Sequence, residues 1–233
     1  MNKNLIFFIS LAIFTFSCGK TKTTCSNNLD NNSCLDNTYS IDSNKINRKV
    51  LIIGIDGFRA EAMQESITPY LYQLSESSSV FFNKEHSIED HTVSGPNWSS
   101  LLTGVHWCKH QVSNNNFNDN QINDFPHFFS YLENANSNIN TVSIVNWLPI
   151  NEHLASFHAN HAPQNSINDA QVFELAEEAL VDQNPIAPDV LFLHFDDPDA
   201  AGHGYGYCSS VTEYAQSLTD TDQYVQQLFS IID

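Results

Sequence analysis

Apolar runs alternate with amphipathic segments through most of this chain. The two most apolar runs, 49–55 and 189–195, are typical of strands that are buried on both faces of a parallel sheet. Two further strands are predicted over 79–82 and 140–145. Each of the two most apolar runs is followed directly by an aspartate, which marks where the strand is expected to end.

Helical spacing of apolar residues separates the predicted strands. One helix is predicted over 68–77, with Thr68 as its N-cap and Pro69 at its first position. Four others are predicted over 96–102, 125–133, 169–181 and 211–232. This alternation predicts an α/β sandwich with a mainly parallel sheet, in which ligands bind beyond the carboxyl ends of the strands.

The N-terminus has the pattern of a targeting segment. Lys3 precedes an apolar run at 5–16, which is shorter than the roughly 20 residues that a membrane-spanning helix needs. We therefore interpret residues 1–17 as a signal peptide.

The end of this segment resembles the lipobox of bacterial lipoproteins, in which a cysteine, here Cys18, is lipidated. An ordinary signal peptide with a cysteine nearby is the alternative. Residues 18–47 are rich in Asn, Ser, Thr and Asp, which predicts a flexible tether between a lipid anchor in the membrane and a domain at 48–233. The expected location is the periplasm or the cell surface.

Four cysteines remain if Cys18 is lipidated, and an even number in an exported protein favours disulfides. The pairs Cys25–Cys34 and Cys108–Cys208 are one possibility. The other pairings stay open, because connectivity does not follow from sequence.

The charge balance is strongly acidic. The formal net charge is -18, from 27 acidic and 9 basic residues. The sequence contains no cluster of lysine and arginine residues, so nucleic-acid binding by charge is not expected. An acidic protein that acts on phosphate esters would instead need bound metal ions to reverse the local field.

Three polar segments carry candidate chemistry. Asp56 directly follows a buried strand, where a carboxylate needs a cation or hydrogen-bond donors, although it could also form a turn. Ser94 lies just before the helix predicted to begin at Pro96, where free amides and the helix dipole favour an alkoxide or a phosphate. Asn97 offers an amide donor to a phosphoryl oxygen. A plain N-cap is the alternative role of Ser94.

The third segment contains Asp199 and His203, which are four residues apart, so one helical turn would bring both side chains to the same side. An oxygen and a nitrogen ligand suit zinc or a similar ion. A polar turn with a surface histidine is the alternative. For His106 and His110, which have the same spacing, we favour a structural role.

Together, these segments make the chain resemble the alkaline phosphatase superfamily, most closely its type I phosphodiesterase/nucleotide pyrophosphatase branch. Ile-Gly-Ile-Asp56-Gly-Phe-Arg resembles the family's first strand and its metal-binding aspartate. Ser94-Gly-Pro-Asn97, followed by Leu-Leu-Thr-Gly, resembles the nucleophile helix. Asp199-Ala-Ala-Gly-His203 resembles the Asp-x-x-Gly-His metal motif. The implied fold is a three-layer sandwich with a mainly parallel central sheet.

The resemblance implies a site with two divalent metal ions, of which zinc is expected. One ion would be bound by Asp199 and His203, and the other by Asp56 with the oxygen of Ser94. Ser94 would attack phosphorus, and water would then hydrolyse the phosphoserine intermediate. Asn97 would hold a non-bridging oxygen. The implied substrate is a small phosphate ester or a nucleotide.

One part of the family pattern is missing. Family members have a later Asp-His-Gly motif and a further histidine, whereas no histidine follows His203 in this sequence. We therefore expect residues 48–233 to be the N-terminal portion of a catalytic domain that is truncated at its C-terminus.

Other functions stay open at this point. A phosphomonoesterase shares the same ligands. A sulfatase is disfavoured, because Trp98 stands where the arginine of its formylglycine motif is expected. The remaining alternative is an inactive, truncated relative that acts as a tethered binding lipoprotein.

Overall fold

The computed structural model describes residues 49–78, 80, 83, 89, 92–181 and 187–232. The predicted signal peptide, the lipidation at Cys18, the tether, the Cys25–Cys34 pair and most of the predicted strand at 79–82 lie outside the described residues.

The described residues form a parallel sheet of three strands, β1 (Val50–Ile55), β2 (Thr141–Val145) and β3 (Val190–Phe195). The strand order is β1-β3-β2, so the last strand in sequence lies in the centre. The strands predicted over 49–55, 140–145 and 189–195 are thereby confirmed to within one residue at each end. Every residue of β2 and β3 is buried, as expected for strands that are covered on both faces.

Seven α-helices are described: α1 (Pro69–Ser75), α2 (Ser94–Thr103), α3 (Trp107–His110), α4 (Phe128–Ala135), α5 (Asp169–Leu180), α6 (Asp197–Tyr205) and α7 (Thr212–Ile232). A 3-10 turn (Ala60–Ala62) and a π-helical turn (Asn151–Ala155) complete the regular structure of these residues. Five of the α-helices correspond to the predicted ones. The other two, α3 and α6, fall in segments for which no helix was predicted.

Helices cover both faces of the sheet. Alternate side chains of each strand point to opposite faces, so one strand contributes to the core on each side. Leu191, Leu193 and Phe195 of β3 pack into a core that includes residues of α1, α5 and α7. Val190 and Phe192 pack into a second core with residues of α2, α4 and the π-helical turn. The result is the three-layer α/β sandwich that was expected.

Helix α7 fixes both α1 and the loop after β1. The carboxylate of Asp222 accepts hydrogen bonds from the backbone N–H groups of Tyr70 (3.0 Å) and Leu71 (2.8 Å). Thr68 occupies the N-cap position of α1 but makes no side-chain capping bond, so the predicted cap is supplied by Asp222 instead. The Tyr214 hydroxyl donates a hydrogen bond to the carbonyl oxygen of Gly57, at 2.6 Å.

The predicted Cys108–Cys208 disulfide is wrong. Cys208 is a free, exposed thiol in the turn between α6 and α7, with its sulfur 3.1 Å from the hydroxyl of Ser210. Cys108 is disulfide-bonded, but not to Cys208. Cys108 belongs to α3, which packs against α2, whereas Cys208 lies beside the packed pair of α6 and α7.

Within the described parts of the chain, no helix is long and apolar enough to cross a bilayer.

Replacing Asp222 tests the cap that α7 provides to α1. Asp222→Ala leaves one buried and one partly buried N–H group without their acceptor, so we expect the free energy of unfolding to fall by about 1–2 kcal/mol. Asp220→Ala is the matched control, because Asp220 is an exposed carboxylate on the same helix; we expect a change below about 0.5 kcal/mol. Urea denaturation measures both, and equal effects would contradict this role of Asp222.

Candidate functional site

The candidate site lies at the carboxyl edge of the sheet. Asp56 directly follows β1, and Asp196 directly follows β3 and precedes α6. Parallel pairing aligns Ile55 with Phe195, so the two aspartates leave the sheet side by side. This is the edge at which ligands of parallel α/β folds bind.

Asp56 is a buried carboxylate, and each of its oxygens accepts one hydrogen bond from the protein. Its Oδ1 accepts from the N–H of Gly57 and its Oδ2 from the indole N–H of Trp98, both at 2.9 Å. Burial raises the pKa of Asp56, but His194, Trp98 and the hydroxyl of Ser94 outweigh burial and hold it below its usual value. The carboxylate is therefore charged at neutral pH, and Ser94 is one of the side chains that lower its pKa.

Gly57 explains how the loop after β1 meets α6. Its φ of +70° is a left-handed conformation that favours glycine. A Cβ atom on Gly57 would also lie 2.5 Å from the Cα of Asp199, so any side chain would separate the two segments. Asp56 thus provides a charged group, and the missing side chain of Gly57 allows α6 to approach that group.

Ser94 is the first residue of α2, which begins two residues before the predicted start at Pro96. Asn97 lies one turn further on and is buried. Its amide nitrogen donates to the carbonyl oxygen of Val93 (2.8 Å), and its oxygen accepts from the N–H of Glu89 (2.9 Å). The structure thus places Asn97 in the scaffold of the helix start, and its contact with a phosphoryl oxygen stays a prediction.

Asp199 and His203 lie on one face of α6, as their spacing predicts. The Nε2 atom of His203 is 3.4 Å from Oδ2 of Asp199. The other oxygen of Asp199, Oδ1, accepts a hydrogen bond of 2.5 Å from the hydroxyl of Tyr207. Burial and the nearby charge of Asp56 raise the pKa of Asp199.

Tyr207 also explains the glycine of the Asp-x-x-Gly-His motif. A Cβ atom on Gly202 would lie 2.1 Å from the ring of Tyr207, so the ring rests directly on the glycine. The same ring directs its hydroxyl to Asp199 and leaves Oδ2 of that carboxylate facing His203. Nothing in the sequence pattern pointed to Tyr207, because it lies in the turn that follows α6 and forms no part of the motif.

His194 and Asp196 are further site residues that sequence reasoning missed. His194 is fully buried, and its Nε2 lies 3.8 Å from Oδ2 of Asp56 and 4.0 Å from Oδ1 of Asp196. These three side chains each offer a ligand atom, and the three atoms lie within 4.8 Å of one another. The available signal was a histidine in an otherwise apolar strand, one residue before the strand ends.

Asp169, at the start of α5, holds the segment that carries Asp196. Its carboxylate accepts hydrogen bonds from the backbone N–H groups of Asp196 (2.8 Å) and Asp197 (3.1 Å). The side-chain amide of Asn146 donates a third, at 2.7 Å. Asp169 therefore fixes the turn between β3 and α6 without a cation.

Negative charge is concentrated at this edge of the sheet. Burial and the neighbouring carboxylates raise the pKa of Asp196 to about 7, and burial is the main cause that raises the pKa of Asp169 to about 6. No lysine or arginine among the described residues forms an ion pair with these carboxylates. Buried carboxylates with raised pKa values in a cluster are typical of functional sites, and a divalent cation would balance their charge.

His106 and His110 belong to a separate hydrogen-bonded network. The Nδ1 atom of His110 accepts from the N–H of Val112, so its Nε2 carries the proton and donates to the hydroxyl of Ser100, at 2.8 Å. Ser100 in turn donates to Glu89, at 2.6 Å, and His106 contacts the same carboxylate. Because His110 donates to Ser100, His110 does not act as a base that removes the hydroxyl proton of Ser100. The network connects α2 to the segment around α3.

The comparison with known protein families identifies the chain. The model of the type I phosphodiesterase/nucleotide pyrophosphatase family matches residues 50–147 and 136–233. The chain belongs to this family, in agreement with the expected place in the alkaline phosphatase superfamily.

Two solved structures of murine ectonucleotide pyrophosphatase/phosphodiesterase 5 share the fold. One is of the protein itself (TM-score 0.59), and the other is of an inactive threonine-to-alanine variant in complex with AMP (TM-score 0.60). Both are 18% identical to this chain, and each match covers 79% of this chain. The chain spans 52% of the length of these relatives. A search of curated protein sequences found no match.

The contact between Gly202 and Tyr207 predicts a specific effect on metal binding. Gly202→Ala must displace the ring and break its hydrogen bond to Asp199, so we expect the affinity for Zn²⁺ to fall about 10- to 100-fold. Gly204→Ala is the control, because its Cβ would meet nothing within 4 Å on the same helix. Calorimetric titration with Zn²⁺ measures both variants, and an equal affinity in the two would refute the link.

His127 provides a test of pH-dependent stability. Burial lowers the pKa of His127 to about 3, so the unfolded chain takes up the proton first as pH falls below about 6.5. Stability is therefore complete above that pH and falls by up to about 1.4 kcal/mol per pH unit for this group.

The His127→Asn variant removes this titration but keeps a side-chain acceptor for the N–H of Phe129 at the start of α4. Urea denaturation between pH 7 and 4 should show a shallower loss of stability than in the wild type. Tyr131→Phe, an exposed change on α4, should keep the wild-type pH dependence. A His127→Asn curve parallel to the wild type would contradict the prediction.

Proposed function

We propose that this chain carries the nucleophile and part of the metal site of a phosphodiesterase or nucleotide pyrophosphatase. The observation that supports this most is the convergence of two helix starts on one carboxylate. Ser94 at the start of α2 lies close enough to Asp56 to lower the pKa of that carboxyl, and the loop after Asp56 packs directly against Asp199 of α6.

The side chains of the site fit divalent zinc. Two ligands on a tetrahedral zinc ion with bonds of about 2.1 Å lie about 3.4 Å apart. The Nε2 atom of His203 and Oδ2 of Asp199 have this separation. Oδ2 of Asp56 accepts one hydrogen bond from Trp98, which leaves that oxygen a second lone pair for an ion.

Each residue would have a distinct part in the reaction. Two divalent cations, when bound, would stabilise the charge that builds up on the phosphoryl group and on the attacking and leaving oxygens. Ser94, whose alkoxide is favoured by the start of α2, would form a bond to phosphorus while the bond to the leaving oxygen breaks. Water would then cleave the phosphoserine ester and restore the hydroxyl. Asn97 is proposed as a donor to a non-bridging oxygen.

A nucleotide is the proposed class of substrate. The murine relative has been solved in complex with AMP, and this chain shares its fold. The acidic composition agrees with a site in which metal ions, and not arginines, receive the phosphate. Because the chain spans about half of that relative, the activity of the whole protein is part of the proposal.

We further propose export and a lipid anchor at Cys18. The support is the basic residue, the short apolar run and the cysteine that follow one another at the N-terminus. With such an anchor, the site would lie outside the cytoplasm.

Substitutions of Ser94 test the proposed chemistry. Ser94→Ala should lower zinc-dependent hydrolysis of a chromogenic phosphodiester by about three orders of magnitude or more. Zinc bound by Asp199 and His203 should remain. Ser94→Thr is the matched control and should keep substantial activity, because threonine offers the same hydroxyl.

Two results would count against the proposal. Turnover by Ser94→Ala at the wild-type rate would exclude Ser94 as the nucleophile. Absence of metal-dependent turnover in the wild-type chain would exclude hydrolysis by this chain and favour a binding role.

A further inference from the structure

We propose that His194 and Asp196, together with Asp56, bind a divalent transition-metal cation of the zinc type. The inference rests on the proposed function in one respect, since Asp56 is the aspartate assigned there to one of the two ions. It adds a nitrogen and a carboxylate ligand, both from β3 and the residue that follows it, to an ion that otherwise has Asp56 and Ser94.

The three side chains are arranged around a common point. The Nε2 atom of His194 lies 3.8 Å from Asp56 and 4.0 Å from Asp196, and all three ligand atoms lie within 4.8 Å of one another. These separations are too long for hydrogen bonds. The two distances from His194 are about half an ångström longer than the roughly 3.4 Å between ligands of a tetrahedral zinc ion, so the three side chains would have to contract around the ion.

His194 is a buried polar side chain aimed at this point. It is fully buried, and neither of its ring nitrogens has a hydrogen-bond partner among the described residues. The ring lies edge-on to Trp98, with the centroids 4.6 Å apart, so packing fixes its orientation. By contrast, both ring nitrogens of the equally buried His110 are hydrogen-bonded. Leaving a buried imidazole without hydrogen bonds is costly, and a metal ion bound between His194 and the two nearby carboxylates would remove that cost.

The supporting structure holds the ligands in place without a metal. Asp169 accepts the backbone N–H of Asp196, and Trp98 donates to Asp56. The side chain of Asp196 is 21% exposed, whereas that of His194 is inaccessible, so the ion would enter from the side of Asp196. One nitrogen and two carboxylate oxygens suit zinc and similar ions better than magnesium or calcium, which prefer oxygen ligands alone.

Metal binding by the full chain, without substrate, provides the test. Titration calorimetry with Zn²⁺ and the absorption spectrum of bound Co²⁺ should show two ions in the wild type. We expect His194→Phe to bind one ion, with at least a 100-fold weaker affinity at the second position. His203→Gln is the matched control and should lose the other ion, at Asp199. Asp196→Asn, a change at a partly exposed side chain, should weaken the same ion as His194→Phe by at least 10-fold.

Thermal melting separates ligation from a purely structural role. Phenylalanine should pack beside Trp98, so His194→Phe should melt at or above the wild-type temperature without metal but gain less stability when Zn²⁺ is added. If His194→Phe does not fold, Asp196→Asn decides alone. Two ions of unchanged affinity in Asp196→Asn, or in a folded His194→Phe, would overturn the proposal.

The failure of this proposal and that of the proposed function are distinguishable. Loss of one ion in His194→Phe, with no hydrolysis by the wild type, would support the metal site and refute the enzyme. Full hydrolysis and two bound ions in His194→Phe would refute the metal site and leave the enzyme intact.

Discussion

The parallel pairing of β1 with β3 is the constraint on which the rest of the site depends. It brings two strands that end in aspartate to the same edge of the sheet, with Ile55 opposite Phe195. The carboxylates that follow are then closer together than their charges favour. Backbone amides, the indole of Trp98 and the hydroxyl of Tyr207 offset part of that repulsion. The repulsion that is not offset makes this edge of the sheet suited to binding a cation.

Much of the fold could be predicted from the sequence, because the apolar runs of the strands and the helical spacing are local patterns. Asp199 and His203 could be found for the same reason, since four residues along a helix correspond to one turn. Asp56 and Ser94 were recognisable from their places beside a buried strand and a helix start. The family and the three-layer architecture followed from these motifs.

Contacts between distant segments could not be predicted in this way. Thr68 has the residue type of a helix cap, but Asp222 from α7 supplies the hydrogen bonds. Cys108–Cys208 was one possible disulfide because the number of cysteines is even, which says nothing about the separation of the two residues in space. His194, Asp169 and Tyr207 acquire their roles only through the register of β3 and the packing of α5 and α6. The substrate class rests on comparison for the same reason, since no local pattern identifies it.

The strand order has a consequence for how this chain assembles during synthesis. β1 is made first, yet its only partner among the described strands is β3, about 140 residues later. β2 is made in between, and its partner strand among the described residues is also β3, although Val142 forms an isolated bridge with His161. Until β3 has been made, β1 and β2 therefore have exposed apolar edges, a condition associated with slow folding and with aggregation. Tyr214 and Asp222, which fix the loop after β1 and the start of α1, emerge later still. We therefore expect the described part of the site to become ordered only after α7 has been made.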